Sequence, residues 1–355
     1  MTVQLAIDRT ELQPGDSVTA RAVVGGGSDD RVQGGRVELA YVNRYLDEER
    51  QYSSQGSTTR TVTRSDTVAA AMQPLPGGPE GPVAHGEHTV TLTVPPEVPP
   101  TAHEPEGFGD LVRWEVRAIL DRRMAFDPDA SQAVTVFSRP EQFAAWAQSA
   151  PVPKAAECPM ELEMSTRMIK PGEGISGVLT ITPRESFKGR RVRVQLERRR
   201  TDTPDNLHRT ETLEGVELAG GTSFEAGQTV RFPFEIGLPA GVPPCFVTGK
   251  SNMHWFLEGV VDRRMKSDFV VEAEIVVYTG TPGPGAAPAS QASTAGAAPQ
   301  PIAAAAQPAA SAPSAGSPSA TAAPGSHPAA WYADPWLHAR LRYWDGNAWT
   351  GHTAE

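Results

Sequence analysis

Cysteine is nearly absent, with Cys158 and Cys245 the only two in 355 residues. Two thiols exclude a disulfide framework or a cysteine-based zinc site and leave room for one bridge at most. Lysine is scarce as well: five of 32 basic residues, set against 42 acidic ones. The net charge of -10 excludes the broadly basic surface that wholesale binding to nucleic acid or an anionic membrane requires. No apolar run approaches the ~18 residues of a spanning helix. The N-terminus has no basic segment followed by an apolar one, so no signal peptide is predicted and the reducing cytoplasm is the expected address.

Catalytic signatures are missing too. No G-x-S-x-G elbow presents a nucleophile, and no Gly-rich phosphate loop precedes a helix. The Gly25-Gly26-Gly27 and Gly34-Gly35 runs read as hairpin connection. His85, His88 and His103 flank a Gly-Pro loop with only Glu87 at ligand spacing, so they read as surface histidines. Asp127-Pro128-Asp129 lacks the later Gly and Glu of a calcium loop and reads as a turn. The expectation is a non-enzyme without cofactor, metal or small-molecule substrate.

What is present is a duplication. Aligning Trp114 with Trp255 brings WEVRAILDRRM onto WFLEGVVDRRM without a gap, and Val134-Thr135-Val136 onto Ile275-Val276-Val277. Three further blocks match in the same order: those starting at Val3 and Met160, at Arg36 and Arg191, and at His88 and Gln228. Their apolar residues alternate at period two, as in half-buried strands. Pro14-Gly15-Asp16 and Pro171-Gly172-Glu173 supply turns, proline setting one φ and glycine taking the positive one. The pattern predicts a mainly β chain of two tandem antiparallel β-sandwiches, residues 1–139 and 157–279, each large enough for its own core.

Between them, residues 140–156 form a connector with one predicted helix from about Pro140 to Ala150. Ser138 with Glu141 makes its capping box, and Phe143, Trp146 and Ala147 its apolar stripe. It either packs on one sandwich or braces the two. Residues 280–328 collapse to Ala, Pro, Ser, Gly, Gln and Thr, a predicted disordered linker with a root-mean-square reach of roughly 35–45 Å. Residues 329–355 hold Trp331, Trp336, Trp344 and Trp349, with Asp345-Gly346 signalling a small β-hairpin.

The segment IKPGEGISGVLTI, Ile169 to Ile181, resembles the strand pair that opens an arrestin-type domain, and the WxVxxxLDRR strand resembles a late strand of the same fold. The first half keeps the opening pattern as LQPGDSVTARAVV, with Thr19-Ala20 in place of Ser-Gly. The resemblance spans about residues 1–279 and is to bacterial arrestin-like proteins of the sporulation-control type. It implies immunoglobulin-like sandwiches that bind other proteins and perform no chemistry. The tail, WYADPW and RYWDGNAWT, resembles a short Trp-rich domain of unknown function typical of high-GC Gram-positive bacteria.

Three groups of residues are candidates for function. Asp121 with Arg123, and Asp262 with Arg264, share strand faces and form same-face ion pairs, either as solvated strand ends or at the junction between domains. Arg190, Arg191, Arg193 and Arg199 belong to a basic run whose guanidinium forks either recognise a partner or are neutralised by nearby acids. The four tryptophans of the tail either fill a mini-core or anchor a partner. The leading expectation is an adaptor or scaffold that binds proteins, with no nucleic acid and at most weak association with a membrane surface. The alternative is an envelope- or carbohydrate-binding sandwich, whose aromatics would stack on sugars and which the missing signal peptide opposes.

Overall fold

The computed structural model describes residues 1–27, 32–53, 56–77, 83–105, 109–124, 126–203, 207–281, 330–333, 341–344 and 349–354. Met1–Ser293 form one compact unit and Thr294–Glu355 another. The chain is mainly β. The first half of the large unit contains β1 (Thr2–Ile7), β2 (Glu11–Leu12), β3 (Ser17–Gly25), β4 (Val32–Ser53), β5 (Gly56–Pro74), β6 (Gly86–Thr93), β7 (Ala102–Glu104), β8 (Gly109–Arg122) and β9 (Asp129–Val136). A 3-10 turn, Pro140–Phe143, runs into the single turn α1 (Ala144–Ala147), followed by β10 (Val152–Pro153). The second half contains β11 (Met160–Met164), β12 (Met168–Ile169), β13 (Gly174–Ile181), β14 (Phe187–Asp202), β15 (Leu207–Gly220), β16 (Ser223–Phe224), β17 (Val230–Gly237), β18 (Phe246–Val247), β19 (Ser251–Arg263) and β20 (Phe269–Val277).

One strand order occurs twice. A small sheet β1-β3-β6 accompanies a large sheet β2-β9-β8-β4-β5, with β7 on β8. A small sheet β11-β13-β17 accompanies a large sheet built on β20-β19-β14-β15, with β12 on β20 and β18 on β19. In both, the short second strand runs parallel to the last. The cores come from alternation: Val18, Ala20, Ala22 and Val24 of β3 and Val90 and Leu92 of β6 are buried, as are Trp114, Val116, Ala118 and Leu120 of β8.

Equivalent residues make equivalent bonds. Trp114 donates its indole N–H to Pro99 O at 2.9 Å, and Trp255 to Pro243 O at 3.1 Å. Gly15 and Gly172 take φ values of 90° and 88°, and the following acid closes each turn, Asp16 accepting from Gln13 N and Glu173 from Lys170 N, both at 2.9 Å. At the far ends of β8 and β19, Asp127 accepts the N–H of Arg122 and Asp268 that of Arg263. There Met124 and Met265 adopt φ of 56° and 57°, a left-handed conformation that costs a side-chain-bearing residue about 1–2 kcal/mol.

Several sequence expectations are corrected. Gly34 and Gly35 lie inside β4 rather than in a hairpin connection. A Cβ at Gly35 would come within 3.1 Å of Leu120, Leu75 and Val83. The helix ends at Ala147, and its cap is one residue late: Arg139 N donates to Gln142 Oε1 at 2.7 Å, while Ser138 exchanges bonds with Thr279 instead. His88 is a buried strand residue whose Nε2 meets Ala84 O at 2.8 Å. The match starting at His88 and Gln228 slips by four residues at its head, because Gly15 N bonds Val94 O where Gly172 N bonds Leu238 O. Among the described residues the small unit has three strands, β21 (Ala330–Ala333), β22 (Leu341–Trp344) and β23 (Trp349–Ala354), in that sheet order rather than one hairpin. The predicted linker from residue 282 onward lies outside the described residues, as does Trp336.

Candidate functional site

Strand β14 carries the feature that stands apart from ordinary sandwich packing. Its alternation sends Val192, Val194 and Leu196 into the core, and on the same face, beyond the core, come Arg198, Arg200 and Asp202. All three are buried, Asp202 completely. Charges on an inward face must find partners, and here the first half supplies them. Arg200 Nη2 donates to Arg44 O of β4 at 3.1 Å, and Arg198 Nη2 to Glu104 at the end of β7. The Leu46 backbone N–H reaches Asp202. Within β14, Arg200 binds Asp202 Oδ1 through Nε at 3.0 Å and Nη2 at 2.7 Å.

The contact is reciprocal. Asn43 stands on β4 where Arg200 stands on β14, each two residues past the partner of its half's tryptophan, so the sequence match of Arg36 with Arg191 slips by two; both side chains are buried. The Asn43 amide donates to Thr248 Oγ1 at 2.8 Å and accepts from Ser251 Oγ at 3.0 Å. Asn43 thus reaches the segment leading into β19, and Arg198 reaches the end of β7, which leads into β8. Lys250 lies 5.8 Å from the centre of the Tyr45 ring. On the connector side, Trp146 stacks on His254 with ring centres 4.1 Å apart, and Gln13 bonds Thr281.

Burial dominates the electrostatics of Asp202: it pushes the carboxyl above its ordinary range, against the pull of Arg200. Low local dielectric strengthens the ion pair and also makes each member costly without the other. Such a pair favours one arrangement of the two halves over all arrangements that would leave an arginine or a carboxylate dry and alone.

The predicted junction residues are elsewhere. Asp121 pairs with Arg36 across β8 and β4, and Asp262 with Arg191 and Arg193 across β19 and β14. Neither aspartate pairs with the arginine two residues on, because the strands end at Arg122 and Arg263 and period-two facing ends with them. Arg123 and Arg264 sit exposed in the turns that follow. The register sets Asp262 opposite Arg191, whereas Asp202, at the junction, is opposite Ser251. These clusters therefore occupy opposite ends of β14.

The basic run is largely neutralised from neighbouring strands. Arg199 reaches Glu258 at 3.1 Å and Glu272 at 2.8 Å and lies 4.0 Å above the Phe256 ring. Although burial opposes it, Arg199 and Lys154 together hold the Glu272 carboxyl below its usual range. Arg193 is taken up by Asp262 and Gln195. Arg190 is exposed beside Arg191 at the outer end of the strand. Trp331, Trp344 and Trp349 lie on β21, β22 and β23, with Trp344 opposite Trp349.

Cys158 and Cys245 are both free and buried, and burial pushes their thiols up to about 11 and about 12. Among the described residues no group of three His, Cys, Asp or Glu side chains is arranged to hold a metal, and no helix is long and apolar enough to cross a membrane. A cleft of about 940 Å³ opens beside the connector, lined by Pro14, Pro99, Arg139, Gln142, Trp146 and Val247 among others.

Residues 329–355 match a family described only as a protein of unknown function, DUF2510. No curated protein matches the chain. Among solved structures the chain is similar to Spo0M, the sporulation control protein of Bacillus subtilis, with a TM-score of 0.31 and 18% identity over 36% of this chain and 51% of that one. The chain thus spans about half the length of that solved structure.

Proposed function

We propose that the chain is a non-enzymatic, arrestin-like adaptor: two tandem β-sandwiches that bind protein partners in a regulatory setting of the sporulation-control kind. In this reading the polar junction sets the angle between the sandwiches. The observation that carries it is the buried Arg200–Asp202 pair, placed with Asn43 and Ser251 between two halves of one strand order. A duplicated scaffold joined by directional bonds rather than apolar contact alone has a defined alternative state, because those bonds are either all made or all open to water. The resemblance of Ile169–Ile181 to the arrestin opening strands supports the same reading. The Trp-rich tail is a second binding module, with Trp331, Trp336, Trp344 and Trp349 as anchors.

The test pairs solution scattering with affinity capture from the native cell, using the full chain and Asn43→Ala/Ser251→Ala. Removing these bonds is expected to keep the strand content by circular dichroism, increase the maximum dimension and change the amount of each protein captured at least about twofold. A chain that enriches no protein over a scrambled-sequence control, or junction variants that alter neither shape nor capture, would overturn it.

A further inference from the structure

Met124 and Met265 are the only non-glycine residues with positive φ among the described residues. They occupy equivalent hairpin tips and are 99% and 95% exposed. Strain of this kind is ordinarily relieved by glycine or asparagine. A methionine that buries nothing gains no folding energy in return, so its presence points outward.

The surroundings of the two tips differ. At the second, Gly189 is paired with Arg263, which sets the start of β14 beside the end of β19. Lys188, Arg190 and Arg191 thereby join Arg264 and Lys266 around Met265, and all five cations are exposed. Of the acids there, Asp262 is shared by Arg191 and Arg193, Asp268 accepts the Arg263 N–H, Glu225 binds Ser186, and Glu157, Glu185 and Glu217 are exposed on the flanking segments. In a chain of net charge -10, five exposed cations gather at the tip around a bare thioether, with the acids on the flanking segments. Cations that meet headgroups around an apolar side chain that enters the acyl boundary are the combination an anionic bilayer retains.

We propose that the outer end of the second half docks on an anionic lipid surface, with Met265 entering the interface and Lys188, Arg190, Arg264 and Lys266 meeting the headgroups. The inference does not depend on the adaptor reading, since it concerns the end of the half remote from the junction.

Co-sedimentation of the full chain with vesicles tests it, using phosphatidylcholine alone or mixed with phosphatidylglycerol. Binding is expected only to the mixed vesicles and should weaken with salt. Met265→Asn, which suits the left-handed conformation, should reduce binding about tenfold while the melting temperature holds or rises. Arg264→Glu/Lys266→Glu should reduce it by at least about tenfold. Equal recovery with both vesicle types, no binding to either, or undiminished binding by either variant overturns the proposal. So does retention of poly-glutamate without preference for anionic vesicles, which would assign this end to an acidic protein.

Discussion

Asp202→Ala is expected to lower the unfolding free energy by about 3–5 kcal/mol, measured by urea denaturation of the full chain. The loss does not come from forfeiting a strong bond. Arg200 is 4% exposed and Asp202 fully buried, so deleting the carboxylate strands a guanidinium between the halves with only Arg44 O and its remaining polar neighbours to solvate it. Replacing both members, as Arg200→Met/Asp202→Leu, removes the stranded charge and should return the stability to within about 1.5 kcal/mol of the starting protein. The pH dependence follows from burial. Because the carboxyl titrates above its ordinary range, the native state holds its proton more tightly than the unfolded chain does. The contribution of this group is then complete below the unfolded value of about 4 and is lost as pH rises through the folded one. Against the double variant, which has nothing to titrate here, the starting protein should gain stability as pH falls from neutrality towards about 4. A double variant as unstable as Asp202→Ala, or a pH slope of the opposite sign, would contradict this account of the junction.

That junction was within reach of the sequence. Period-two counting from Val192, Val194 and Leu196 places Arg198, Arg200 and Asp202 on the same inward face, and Asn43 follows Val37, Leu39 and Tyr41 in the same way. Runs of arginine are usually solvated, and that expectation outweighs facing when the partner is unseen. The partners of Asn43 are 205 and 208 residues away, a separation no local pattern encodes. Asp121 shows the converse: its motif is conspicuous, but its partner Arg36 lies 85 residues back, and the strand end that cancels the facing rule leaves no mark in composition. The repeated blocks are legible because each performs one local job twice. The tryptophan reaches a proline carbonyl, the acid after Pro-Gly closes the turn, and the aspartate after DRRM caps the hairpin. The Trp-rich tail announced one hairpin through Asp345-Gly346, while its first strand, four residues long, is too short for periodicity to reveal.

Gly177→Ala is the substitution expected to weaken the second half most for the fewest atoms added. A Cβ at this position would stand 2.1 Å from Glu163 O and 2.5 Å from the Phe234 ring. The ring could turn away, but the carbonyl belongs to the neighbouring strand β11, held in register at Met164 opposite Gly177. The strands must therefore separate, which places the loss at or above the upper end of ordinary overpacking, about 3 kcal/mol. The first half explains why the glycine is there. At the matching place Ala20 faces Val90, whereas Gly177 faces Phe234, so the second half moves volume from one strand to the other. Restoring the first-half pair with Gly177→Ala/Phe234→Val should recover the share due to the ring and leave the share due to the carbonyl. Urea unfolding should then place the double variant above Gly177→Ala and still below the starting protein. If the single substitution instead costs less than about 1 kcal/mol, the glycine of the I-S-G segment is not dictated by the approach of β11 to β13, and its place beside Phe234 needs another cause.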